Sequence, residues 1–353
     1  MPDAPIPRPR PIERITPTEF NTINRCVWRE GFNRDPAMVH LRRSSPAAAL
    51  GNVIHLMKRK FGDPRGFDSV WDAAVADEHR KLVADWAPAV PPSPESWPGW
   101  SLARVRLRKA WLRYGSRRGV GKLAAGSSGI PPLPWRELRL EHPELPIAGI
   151  PDLVERTDDD QLWVVDTKTG LRQADPSPEQ REQLLLYCGL VDANLGEMPA
   201  VAAIETTCGE RFSFPVDPGE VTKVLDRTVE TMNRFNAAAD ISFTGDLASP
   251  APETCGWCPY RIACLPFLQA YEEDWEMSHT VLFRVESAEA REHGAYVEGV
   301  VDLPGWRAGQ SFVSVGFPFG ALPVAGELWA ATDYVGRGSS AVASWNTTTF
   351  KWL

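Results

Sequence analysis

The chain has 353 residues, 43% of them apolar, with 38 lysines and arginines against 46 acids and a net charge of −8. That length can bury a sizeable core and suggests about two domains, and no stretch approaches the roughly 18 apolar residues of a membrane helix. A chain this acidic repels nucleic acid from a distance, so any nucleic-acid site has to be local.

The opening MPDAPIPRPRPIER carries no apolar signal core and reads as a mobile proline-rich arm, residues 1–14, on a cytoplasmic protein. Residues 15–60 have helical spacing interrupted near NRDP, and the second piece opens on Ser45 as cap and Pro46 in the first turn. WAPAVPPSPESWPGW and GSSGIPPLP are breakers that bracket a basic helical segment. In it Arg104, Arg106, Arg108, Lys109, Arg113, Arg117, Arg118 and Lys122 follow one another with no acid between them, and Trp111 and Tyr114 are interleaved. The pattern suits phosphate contacts with base stacking, and equally a solvated helix face.

From 135 the apolar period changes to two, and WRELRLE, IAGIPDLVER, QLWVVDTKT, VAAIETT and ERFSFPV read as strands, the second and third joined by an acidic TDDD turn. PEQREQLLLYCGLVDANL and PGEVTKVLDRTVETMNRFNAA are helical, so residues 15–268 read as an α/β unit, a mixed sheet flanked by helices. A linker at 269–278 leads to five short strand-like runs over 279–353. They suit a small all-β barrel of the OB type, and another small barrel or sandwich fits the pattern as well. This region carries a local charge of −2, from five cations and seven acids. If it holds a single strand it must do so by stacking, with Phe317, Phe319, Trp329, Tyr334 and Trp345 as candidates and about half of them expected in the core. Removing it is expected to leave the chemistry of the first unit intact.

The stretch GIPDLVERTDDDQLWVVDTKTG places ionisable groups where a sheet core should be. Asp166 and Lys168 are two apart on one strand and share a face, Thr167 points the other way, and the tight turn brings Asp152 alongside. An isolated carboxylate in such a place is costly, whereas a bound divalent cation removes the penalty, and oxygen ligands with an imidazole favour magnesium or manganese. A buried Asp–Lys ion pair is the plainer account, but it leaves Asp152 as a mere turn residue. His55 by itself is a weak signal, and Gln183 and Tyr187 share a helix face that ordinary packing also explains.

Cys255, Cys258 and Cys264 form a C-x2-C-x5-C cluster. A tetrahedral thiolate site needs a fourth ligand: Cys26, 229 positions before Cys255, can supply it, with Cys188 and Cys208 competing. Disulfides do not suit a reduced cytoplasm. Iron–sulfur ligation fits better than zinc, whose sites usually pair C-x2-C with a second such pair or with histidines.

Together these segments resemble the RecB-like branch of the PD-(D/E)XK nucleases, in particular its iron–sulfur members, which include the AddB subunit and the CRISPR-associated exonucleases. The likeness runs over about residues 20–268 and rests on LGNVIH, GIPD, DTK, QLLLY and CGWCPYRIAC, in the family's order, with one upstream cysteine. It implies a restriction-endonuclease-like mixed sheet in which His55, Asp152, Asp166 and the carbonyl of Thr167 hold Mg2+ or Mn2+. Lys168 then orients or helps deprotonate the attacking water, and Gln183 and Tyr187 contact the DNA backbone or brace the site. It implies a 4Fe-4S cluster on Cys26, Cys255, Cys258 and Cys264, and a two-metal hydrolysis of DNA, by an exonuclease acting on single-stranded ends. The other reading is an inert DNA-binding or scaffold subunit of a repair or defence complex, from which loss of Asp152, Asp166 or Lys168 would be expected. No phosphate-binding glycine loop is present, so any unwinding would come from a helicase partner.

Overall fold

A computed structural model describes residues 5–86, 89–115, 131–168, 175–206, 210–241, 243–272, 275, 277, 279–292, 294–302, 308–318, 321–335 and 340–352. The chain enters through α1 (Pro17–Arg25) and α2 (Val27–Arg34), which meet at a kink on Cys26. Thr16 caps α1 through a reciprocal box: its hydroxyl accepts from the Glu19 amide and the Glu19 carboxylate accepts from the Thr16 amide. Residues 5–14 are tied down rather than free. The Arg8 amide donates to Asp35, the Ile12 amide donates to Asn236, and the Ile12 side chain is buried.

Next comes α3 (Pro46–Arg59), capped by Ser45 Oγ accepting from the Ala48 amide at 3.1 Å with Pro46 in its first turn. With α4 (Phe67–Trp86) and α5 (Trp100–Gly115) it forms a helical module with its own small core around Val53, Met57, Trp71 and Trp111. Ala103, Leu107 and Trp111 repeat every fourth residue on the buried face of α5. Trp111 therefore packs edge-on against Phe61 and Phe67 instead of facing a base, and Arg104 and Arg108 pair with Asp68. Arg117, Arg118 and Lys122 lie outside the described residues.

The α/β sheet is built from β1 (Trp135–Arg136), β4 (Leu153–Arg156), β5 (Leu162–Lys168), β6 (Val201–Thr206) and β7 (Arg211–Pro215) in that spatial order. A separate two-stranded ribbon joins β2 (Leu140–Glu141) to β3 (Ala148–Gly149). Strands β4 and β5 form the antiparallel hairpin that the TDDD turn announces, with Leu153 opposite Val165. Strands β5 and β6 are parallel, so a crossover is required, and α6 (Pro178–Leu195) supplies it. The period of two sorts the side chains between faces: Val154, Val164, Ala202 and Ile204 join the main core under α6, while Leu153, Val165 and Ala203 cluster on the opposite face. Helix α7 (Pro218–Ile241) packs beside α6, and the cysteine loop follows with α8 (Pro252–Cys255) and α9 (Leu265–Ala270).

The C-terminal sheet has β8 (Thr280–Arg291), β9 (Gly294–Val301), β10 (Ser311–Phe317), β11 (Leu328–Thr332), β12 (Ser340–Val342) and β13 (Thr348–Trp352). Their order is β12-β10-β9-β8-β11-β13. The fifth apolar run of the sequence thus yields two strands, because it breaks at Ala343–Thr347: β12 runs parallel to β10, and β13 pairs antiparallel with β11. Val335, just beyond β11, exchanges both backbone hydrogen bonds with Val342 of β12, which curls the sheet toward closure. One continuous apolar core runs from Ile12 through Phe267 into Phe283, Phe312 and Trp352. Across this seam Arg261, 4% exposed, donates to Thr332, Asp333 and the Gly256 carbonyl at 2.7–2.8 Å, and Trp352 Nε1 donates to the Ile262 carbonyl. Among the described residues no helix is long and apolar enough to cross a membrane.

Candidate metal and nucleic-acid site

His55 stands three turns into α3, on the face turned toward β4 and the loop after β1. Its Nδ1 lies 3.4 Å from Asp152 Oδ1 and 3.4 Å from Glu137 Oε1. These three residues form the one group among the described residues whose ligand atoms all fall within 4.8 Å of one another. The other oxygen of Asp152 accepts the Thr167 amide at 2.6 Å, which fixes the carboxylate between α3 and β5. Glu137 is held by Arg59 at 2.8 Å and adopts a left-handed backbone at φ 48°, a conformation costly for a residue with a Cβ.

Asp166 and Lys168 lie on the α6 side of β5. Lys168 Nζ stands 2.7 Å from Asp166 Oδ2 and pairs with this enclosed carboxylate. Lys168 also donates to Gln183 Oε1 at 3.2 Å, and Gln183 Nε2 donates to the Tyr187 hydroxyl at 3.2 Å. The lysine is therefore aimed by a relay from α6. Gly149 of the GIPD segment makes this possible: a Cβ there would stand 2.9 Å from both the Tyr187 ring and Leu190.

Burial raises the pKa values of Asp152 and Asp166 above the ordinary carboxylate range. His55 and the Thr167 amide oppose the shift at Asp152, and Lys168 opposes it at Asp166. The structure groups Asp152 with His55 and Glu137 and leaves Asp166 outside that group, paired with Lys168; two carboxylates and an imidazole suit a hard divalent cation, which would relieve the cost of ionising a buried Asp152. Thr167 turns its side chain to the other sheet face, where Lys58 Nζ donates to its hydroxyl at 2.9 Å and lies 3.5 Å from Glu205. Glu205 in turn meets Arg211, which also pairs with Glu155.

Glu137 and Lys58 are the two members that sequence reasoning passes over. Glu137 directly follows β1 and belongs to no motif that the sequence offers, so only the tertiary structure brings it to His55. Lys58 follows His55 by three residues on α3, a helical spacing that would have placed it on the same side.

The four cysteines of the second constellation line one pocket with Trp28, Phe32 and Phe267. Cys26 sits at the α1–α2 kink, Cys255 ends α8, and Cys258 and Cys264 flank the turn that carries Arg261. All are unbridged thiols. Burial pushes the Cys255 thiol up to about 12 and raises Cys258 and Cys264 as well; the latter two are partly exposed as residues while their sulfurs are enclosed by protein. Cys188 lies elsewhere, in the apolar core of α6, and Cys208 falls outside the described residues.

Of the aromatic candidates in the C-terminal sheet, Phe317, Trp329 and Tyr334 are buried, Trp345 packs on Trp86 at 5.1 Å, and Phe319 lies outside the described residues.

The sequence profile of the PD-(D/E)XK nuclease superfamily matches residues 14–265. Curated proteins give no match. Among solved structures, the crystal structure of SSO0001 aligns over 60% of this chain and 82% of its own, with 12% identity and a TM-score of 0.25, a likeness too distant to carry an argument.

Proposed function

The chain belongs to the PD-(D/E)XK nuclease superfamily, and from that premise we propose that it is a metal-dependent deoxyribonuclease acting on single-stranded DNA ends. The observation that carries the reading is the meeting of His55, Glu137 and Asp152 beside the Asp166–Lys168 pair. His55, Glu137, Asp152 and Asp166 would hold Mg2+ or Mn2+, with the Thr167 carbonyl as a further donor, for a two-metal hydrolysis. A divalent cation there supplies the Lewis acidity that activates water and offsets charge on the leaving oxygen. Lys168, aimed by Gln183 and Tyr187, holds the attacking water and steadies the developing phosphorane charge. Retention of Asp152, Asp166 and Lys168 speaks for an active enzyme over an inert scaffold.

We also assign a 4Fe-4S cluster to Cys26, Cys255, Cys258 and Cys264. Four thiols enclosed around one apolar pocket suit such a group. The C-terminal sheet is read as an OB-type barrel whose fifth strand is split, since β12 lies parallel to β10 and Val335 bridges Val342. A cytoplasmic setting and a helicase partner fit this reading.

The test is cleavage of 5′- and 3′-labelled single- and double-stranded DNA with magnesium or manganese, against a chelator control. Mononucleotide release from single strands is expected. DNA binding without cleavage would leave the inert scaffold, and a colourless, iron-free protein would return the cysteines to zinc.

A further inference from the structure

The cysteine loop presents one residue that neither constellation uses. Trp257, between Cys255 and Cys258, is 88% exposed and makes no ring contact among the described residues. Its apolar surface stands in water at the mouth of a groove of about 210 Å³, bordered by Arg43, Ser45, Trp86, Asp333 and Asn346. Arg43 lies over the Trp86 ring at 4.7 Å, and Trp345 packs on that ring from the barrel. Arg43 also faces Asp85, and neither it nor Arg42, its exposed neighbour in sequence, forms a salt bridge within 4.0 Å among the described residues. The neighbouring carboxylates are already engaged: Asp85 accepts the Ser44 amide, and Asp333 accepts Arg261. In a chain of net charge −8, Arg43 at the edge of the groove and the exposed Arg42 next to it in sequence, neither of them in a salt bridge among the described residues, suit an anionic ligand whose planar rings can meet the open indole of Trp257.

The groove is connected to the metal site by α3. Ser45 borders the groove, while Asn52, His55 and Arg59 of the same helix line a second groove of about 610 Å³ that holds Glu137 and Asp152. Ser45, Asn52, His55 and Arg59 follow one another at helical spacing along one stripe. At a rise of 1.5 Å per residue, Ser45 stands about 15 Å from His55, or about four stacked nucleotides at 3.4 Å each.

We propose that Trp257, Arg42 and Arg43 form a second contact for single-stranded nucleic acid, which grips the strand about four nucleotides from the scissile bond. This rests on the nuclease reading and adds to it a subsite: the indole stacks on a base and the arginines hold flanking phosphates. Its consequence is a length threshold. Strands too short to reach the tryptophan bind through the metal site alone.

The test is fluorescence anisotropy of the full chain in chelator, so that nothing is cut, with single strands from 3 to 20 nucleotides. Wild type should gain affinity once the strand exceeds about four to six nucleotides. Trp257→Ala should lose that gain, roughly tenfold for the longest strand, while Trp257→Phe keeps most of it. Arg42→Ala/Arg43→Ala should make the slope of log K against log salt shallower by about 1.4, the share of two phosphates on a single strand. Iron content and thermal midpoint must match wild type, and Trp257 is exposed enough for that.

Unchanged affinity of Trp257→Ala across the series overturns the subsite and leaves Trp257 as an anchor for a protein partner; an unchanged salt slope overturns the arginine assignment. Absence of cleavage by wild type in the separate metal assay defeats the nuclease reading without altering these binding outcomes.

Discussion

Glu30 offers a quantitative test of how the N-terminal helices are held. It lies one turn after Cys26 on α2, 3% exposed, with its Oε2 accepting from Asn33 Nδ2 at 2.9 Å. Burial is the main cause that lifts its pKa from 4.5 to about 7; the Asn33 hydrogen bond, Arg34 and Arg29 pull the other way, and Glu19 adds to the rise. A carboxyl with a raised native pKa contributes fully below the unfolded value of 4.5 and loses that contribution as pH rises through about 7. The 2.5-unit difference between 4.5 and about 7 is worth about 3 kcal/mol at 1.36 kcal/mol per unit.

Glu30→Gln keeps an acceptor for Asn33 and never ionises. It should therefore be more stable than wild type by about 3 kcal/mol at pH 8, the gap shrinking below about 1 kcal/mol at pH 5. Urea unfolding of the two proteins at matched iron loading reads this directly. A stability difference that is the same at both pH values would refute the assignment of a buried, neutral Glu30.

Asp152→Ala, Asp166→Ala and Lys168→Ala should each lower metal-dependent cleavage about a thousandfold, or about 4 kcal/mol of transition-state stabilisation, and double variants should lose little more; single-turnover kinetics decides. Glu137→Gln should chiefly raise the manganese concentration needed for half-maximal rate, and unchanged metal dependence would remove Glu137 from the ligand set. Serine at Cys26, Cys255, Cys258 or Cys264 should abolish bound iron, read by the visible spectrum, whereas Cys188→Ala should keep iron and lose stability only, from its buried core position. Arg261→Ala leaves Asp333 and Thr332 without their buried partner and should cost about 3–5 kcal/mol. For the same reason truncation after residue 278 should destabilise the cysteine loop, measured as iron retention, although the chemistry lies elsewhere.

Much of the site was legible because it depends on local spacing. Asp166 and Lys168 had to share a strand face, the TDDD turn had to bring Asp152 beside them, and Ser45-Pro46 had to start the helix that carries His55. Those statements follow from backbone periodicity and capping, which short sequence windows contain. Cys26 could be named only as one of three candidates for the fourth thiol, and it is the fold that lines it up in one pocket with the other three, 229 to 238 residues further on.

What local spacing hid was decided by tertiary packing. Glu137, in a left-handed conformation just after β1, meets His55 and Arg59, and Trp111 leaves a basic stretch for an aromatic core. Arg261, surface-like by type, is buried because the C-terminal sheet and the cysteine loop close over it, and the same closure makes one core of two units that the sequence separates. Burial and pairing across long separations depend on which elements meet, and a linear pattern specifies only the face that each element offers.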